Sequence, residues 1–81
     1  MGEWRLVYNG SGEKCYNVKF VRKEGNGLVQ IVVYVDNQEK ERLRGVDEST
    51  DVCGKKIDIY GGYISPWDQT TKGYWRATEI R

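Results

Sequence analysis

Cys15 and Cys53 are the residues in this chain best able to do covalent chemistry. They stand 38 positions apart, and two fates are open to them. Each can be an independent buried thiol, because free cysteine is among the most buried residue types. Alternatively they pair, and a bridge closing so long a loop would contribute roughly 4 kcal/mol by chain entropy. Small loop-rich β domains use such bridges often, and a bridge here would imply an oxidising compartment and hence secretion. Other chemistry is restricted by composition. The chain has no His, which removes the usual general base and the commonest metal ligand. A Ser-His-Asp triad cannot be assembled, and two Cys alone do not make a closed zinc site. The expectation is a protein that is not an enzyme, with no catalytic residues, no metal and no cofactor. Asp47, Glu48 and Asp51 lie close enough to hold a hard cation. They lack the glycine and terminal carboxylate of a calcium loop, so a solvated loop is the better reading.

Non-covalent recognition is the remaining possibility. Arg22, Lys23, Lys55 and Lys56, with nearby tyrosines, could form a stacking surface for single-stranded nucleic acid. Against this, 13 Lys+Arg face 12 Asp+Glu for a net charge of +1, with acids interspersed throughout. That balance gives little support to a general nucleic-acid or anionic-membrane binder. The longest apolar run, residues 31–35, is far short of the roughly 20 residues that span a bilayer as a helix. Met1 leads directly into Gly2-Glu3-Trp4 without an apolar leader, as expected of a cytosolic chain or of a mature form with an added start Met. Trp67 sits beside the single proline, Pro66, in a long loop. It is either a lid over the core or a contact residue, since aromatic anchors are enriched at interfaces. The other aromatic residues are expected to fill the core.

These residues must be positioned by a small scaffold. Eighty-one residues and 9.4 kDa, 38 % hydrophobic and 31 % charged, allow one domain over residues 1–81 with a thin core. The hydrophobic period is two. Trp4, Leu6 and Tyr8 alternate in a first strand, and Asn9-Gly10-Ser11-Gly12 reads as a hairpin turn. Asn9-Gly10-Ser11 also fits a glycosylation acceptor, but Asn-Gly is the favoured type I′ turn. Tyr16, Val18 and Phe20 alternate in a second strand, and Gly25-Asn26-Gly27 makes another turn. In residues 28–35, Val29, Ile31, Val33 and Val35 face the core, with Val32 and Tyr34 opposite. Asp36-Asn37 closes a third turn, and the charged residues 39–44 read as a guarded edge strand. A loop follows over residues 44–54. Then come a strand at 55–60 with Ile57 and Ile59 inward, a loop at 61–73 and a last strand at 74–80. Six short strands without a helix define an all-β, antiparallel sandwich or barrel.

The strand order, the placing of Cys15 and Cys53, the length and the opening Trp4-Arg5-Leu6-Val7-Tyr8-Asn9-Gly10 together resemble the MAX effectors. These are sequence-divergent secreted fungal proteins of plant pathogens, the Avr and ToxB-like group. In that family the disulfide starts in the first strand, whereas Cys15 here opens the second. The resemblance implies a six-stranded β-sandwich of two three-stranded sheets, no catalysis, secretion, and translocation into the host cell as a monomer. It further implies binding to a host plant protein: a heavy-metal-associated domain, or an immune receptor that carries one. The binding element would be an exposed strand edge. Residues 15–22 or 28–35 would present that edge, with Lys19, Arg22 and Lys23 as charges selecting the partner. Two other readings remain. One is a secreted or phage-encoded inhibitor acting through the loop at 61–73, and the other is an intracellular barrel that binds single-stranded nucleic acid.

Overall fold

The computed structural model describes residues 3–22, 29–63 and 78–81. Lys23, the expected turn at Gly25-Asn26-Gly27, Pro66, Trp67 and residues 74–77 of the expected last strand lie outside them. Five strands are described: β1 (Glu3–Phe20), β2 (Val29–Val35), β3 (Gln38–Leu43), β4 (Ser49–Tyr63) and β5 (Thr78–Ile80). They form one antiparallel sheet in the order β3-β2-β4-β1-β5. The protein is all-β, as its period-two pattern requires. Among the described residues there are five strands in one sheet where six in two sheets are expected, because the first two expected strands are a single continuous β1.

That difference has a local cause. Asn9-Gly10-Ser11-Gly12 does not turn the chain back. Asn9, Gly10 and Ser11 stay in register with Asp58, Ile57 and Lys56 of β4. The register slips twice, at Val7 and between Ser11 and Lys14, each time leaving one extra residue in β1. These are β-bulges, which bend a strand and increase its twist. Gly12 has φ 91°, so the residue tolerant of positive φ serves the second bulge rather than a hairpin. Beside this bend Cys15 pairs with Cys53, and the two form a disulfide.

The bend lets the two halves of the long β1–β4 ribbon share one core. Val18, Phe20 and Val52 from one half meet Ile57 and Ile59 from the other, together with Val29, Ile31, Val33 and Val35 of β2 and Leu43 of β3. Tyr8, Tyr16 and Ile80 pack against this cluster from partly exposed positions. The four alternate residues of β2 point inward as the sequence indicates. The opposite residue Val32 is also buried, because β2 is an interior strand between β3 and β4.

The turn at Asp36-Asn37 forms as expected, with φ values of 51° and 69° that suit a two-residue type I′ hairpin. Asp36 also ties the hairpin to β4. Its Oδ1 accepts hydrogen bonds from the Lys55 and Lys56 backbone N–H groups at 3.1 and 3.0 Å. β3 stands at the edge of the sheet, and its charged side chains guard it against wrong pairing. β4 begins at Ser49, so the expected loop at 44–54 shortens to residues 44–48. The bonds from Phe20 N to Glu48 O at 2.9 Å and from Asp47 N to Phe20 O at 2.8 Å hold that loop against the end of β1.

Candidate binding groove and sheet edge

The bulge at Val7 decides what the first strand displays. Trp4 pairs with Gly62 and Leu6 with Tyr60, but after the extra residue Tyr8 pairs with Ile59. Side chains change face when a strand gains one residue. Tyr8 therefore turns toward the core, whereas Trp4 and Leu6 stay on the outer face at 43 % and 48 % exposure. The expectation that all three share one half-buried face is corrected accordingly. Opposite Trp4, Gly62 has no side chain to separate the indole from β2.

On that outer face the sheet builds a concave groove of about 510 Å³. Val32 from β2 lies in it, with Tyr34 from β2, Tyr60 and Asp58 from β4, Trp4 from β1 and Arg42 from β3. The Tyr34 and Tyr60 rings meet edge to face, 5.6 Å apart and 82° inclined. The Arg42 guanidinium lies 5.6 Å from the centre of the Trp4 ring. It donates to Gln30 Oε1 and Glu39 Oε1, both at 2.9 Å, so its position is fixed from two sides. Asp58 is 8 % exposed. Its Oδ1 accepts from Asn9 Nδ2 at 2.6 Å, and Lys56 Nζ lies 3.6 Å from its Oδ2. Lys56 also donates to Asn37 Oδ1 at 3.0 Å. The two charges that line the groove, Arg42 and Asp58, thus each have an opposite charge beside them, Glu39 and Lys56.

The sequence pattern places Val32 and Tyr34 opposite the core face of β2, and that was the available sign of this groove. Trp4 joins them through the bulge, and Tyr60 and Asp58 through the register of β4. Alternation within single strands does not show either link.

The sequence-derived partner residues fall elsewhere. Lys19 is in register with Ser49 of β4 and Glu79 of β5, inside the sheet rather than at its edge. Arg22 is exposed just beyond the end of β1, near Lys19 in sequence and far from the groove. Lys23 and Trp67 lie outside the described residues. Neither strand expected to offer an edge is fully open. β2 is paired on both sides, and β1 is covered from residue 17 to 20 by β5 and by a pair of bonds between Asn17 and Arg81, at 2.8 and 2.9 Å. Over residues 3–16, β1 pairs with β4 alone among the described residues. This side of β1, which no other described strand joins, runs beside the exposed Trp4 and Leu6.

Cys15 and Cys53 are joined with their Cα atoms 4.0 Å apart, and both residues are exposed. The bridge is a staple between directly paired strands at the bend. Two of the three loop acids have separate local partners. Glu48 accepts from the Arg44 backbone N–H at 3.3 Å, and Asp51 from Asn17 Nδ2 at 2.9 Å. At the bend, Tyr8 and Tyr16 rings lie 5.7 Å apart. The hydrogen bond to Tyr16, then burial, hold the Tyr8 hydroxyl above its ordinary pKa of 10.0.

Compared with protein-family models, curated proteins and solved structures, the chain matches none.

Proposed function

We propose that this chain is a secreted, non-catalytic effector of the kind the MAX effectors represent, binding a host plant protein by strand addition. The observation that carries this reading is that β1 over residues 3–16 pairs with β4 alone among the described residues. A partner strand added there gains main-chain hydrogen bonds for affinity, while flanking side chains set specificity. Trp4 and Leu6 supply the exposed apolar contacts beside that edge. The Cys15–Cys53 bridge supports passage through an oxidising compartment. In this reading the partner is a heavy-metal-associated domain or a receptor carrying one, and the effector is a monomer. Lys19 and Arg22 stand beyond that stretch, at the far end of β1, where they can act as steering charges. A nucleic-acid reading is disfavoured by the groove itself, where the Asp58 carboxylate accompanies Arg42.

The test is hydrogen–deuterium exchange of the protein alone and with purified plant heavy-metal-associated domains, alongside binding measured by calorimetry. Complex formation should slow exchange across β1 residues 5–16. Leu6→Glu should weaken binding by at least about 10-fold while leaving the melting temperature within about 2 °C. Protection confined to another element, or binding indifferent to Leu6→Glu, would overturn the β1 edge as the docking site.

A further inference from the structure

We infer that the outer-face groove is a binding site for a neutral oligosaccharide, with one sugar ring seated among Trp4, Tyr34 and Tyr60. The inference shares Trp4 with the strand-edge reading but does not rest on it, because it concerns the face of the sheet and not its hydrogen-bonding edge, and Tyr34 and Tyr60 belong to the face alone. Three features select this ligand chemistry.

The first is size and lining. A volume of about 510 Å³ lies within the usual range for small-molecule sites, which combine apolar walls with a few placed polar groups. Here Tyr34 and Tyr60 stand nearly perpendicular, so a ring stacked on one is walled by the other. A pyranose suits such a corner, since it carries C–H bonds on its faces and hydroxyls around its rim.

The second is charge. Arg42 is paired with Glu39, and Lys56 lies near Asp58. An anion entering the groove would meet the Asp58 carboxylate on its wall. A cation would meet the Arg42 guanidinium and would find it already beside the Trp4 ring. A neutral ligand meets neither penalty.

The third is the direction of hydrogen bonding. Asp58 is a buried carboxylate on the groove wall, and an ionised carboxylate only accepts. It asks for a ligand rich in O–H or N–H donors. A proline-rich segment, the other neutral ligand that favours aromatic grooves, lacks N–H at each proline and would present carbonyl oxygens to this acceptor. A sugar offers hydroxyl donors to Asp58 and accepts from the remaining N–H groups of Arg42. That guanidinium has five donors and is already held in place by Gln30 and Glu39. A pre-positioned donor and acceptor lower the ordering cost of binding.

Isothermal titration calorimetry with cello-, chito-, laminari- and xylohexaose tests the site directly, with a decaproline peptide and a thymidine decanucleotide as competing ligand classes. At least one hexasaccharide should bind with Kd between about 10 μM and about 1 mM. Trp4→Ala and Tyr60→Val should each weaken that binding about 10-fold or more. Trp4→Ala removes an exposed side chain, and Val keeps strand propensity at 60, so a melting curve of each variant verifies folding. Glu79→Gln, on β5 and not among the residues lining the groove, should leave sugar binding unchanged. NMR shifts on titration should concentrate on β2 and β4 outer-face residues. Binding by none of the four sugars, binding unaffected by both groove variants, or binding of decaproline or the oligonucleotide alone would each overturn the inference. None of these outcomes bears on protection of the β1 edge by a protein partner.

Discussion

Removing the Cys15–Cys53 bridge should lower stability by an amount the structure allows to be calculated. The two cysteines enclose a loop defined by their separation of 38, for which the chain-entropy relation gives about 4 kcal/mol at 25 °C. The usual complication of such variants is largely missing here, because both cysteines are exposed. A Cys15→Ser/Cys53→Ser double variant therefore opens no core cavity and buries no new hydroxyl. The strands also remain aligned without the bridge, since Lys14 with Gly54 and Tyr16 with Val52 continue the register on either side. The loss then falls mainly on the unfolded chain, which regains the freedom the bridge had removed. At roughly 4–8 °C per kcal/mol for a domain of this size, the melting temperature should fall by about 20 °C. Differential scanning calorimetry of the oxidised protein, the reduced protein and the double variant measures this. The reduced protein and the variant should agree to within a few degrees. A fall of less than about 5 °C would show that the denatured chain already holds these strands together, and would refute the entropy argument.

Two further predictions concern the hairpin and the tyrosine pair. Asp36→Ala removes the acceptor for the Lys55 and Lys56 N–H groups and places alanine at φ 51°; it should cost about 1–2 kcal/mol. Asp36→Asn should recover most of this by thermal melting, and equal losses in the two variants would refute the role given to the side chain. The Tyr8 pKa is raised in the folded protein, so its contribution is fully present below pH 10 and is lost as pH rises through the folded value. The melting temperature should therefore decline less steeply above pH 10 in Tyr8→Phe than in the unmodified protein, and identical alkaline profiles would contradict the pairing.

The all-β class, the Asp36-Asn37 hairpin, the charged edge strand β3 and the inward faces of β2 and β4 were legible because each follows from local rules. Alternation fixes which residues of one strand share a face, and Asp-Asn is competent for positive φ wherever it stands. The misreading at Asn9-Gly10-Ser11-Gly12 has the opposite origin. Glycine and asparagine mark positions where unusual backbone angles are tolerated, and both a hairpin and a bulge use that tolerance. What decides between them is whether another strand is present to keep the chain extended. Here β4 supplies it from residues 56–59, almost 50 positions away in the chain, and no local pattern carries that information.

The same bulges account for what was hidden at the surface. In a strand of strict alternation Trp4, Leu6 and Tyr8 would all be core, and the aromatic richness of the chain would be a packing feature. One extra residue at Val7 separates them, sending Tyr8 inward and leaving Trp4 beside Tyr60 and Arg42. The second bulge bends β1 so that its far half closes the core beneath. The inner face is thus satisfied by Val18, Phe20 and Val52 without needing Trp4. A small domain with few apolar residues can place a tryptophan and two tyrosines on an outer face when its core is complete without them. Their presence there leaves aromatic surface unneeded for folding and available to a ligand.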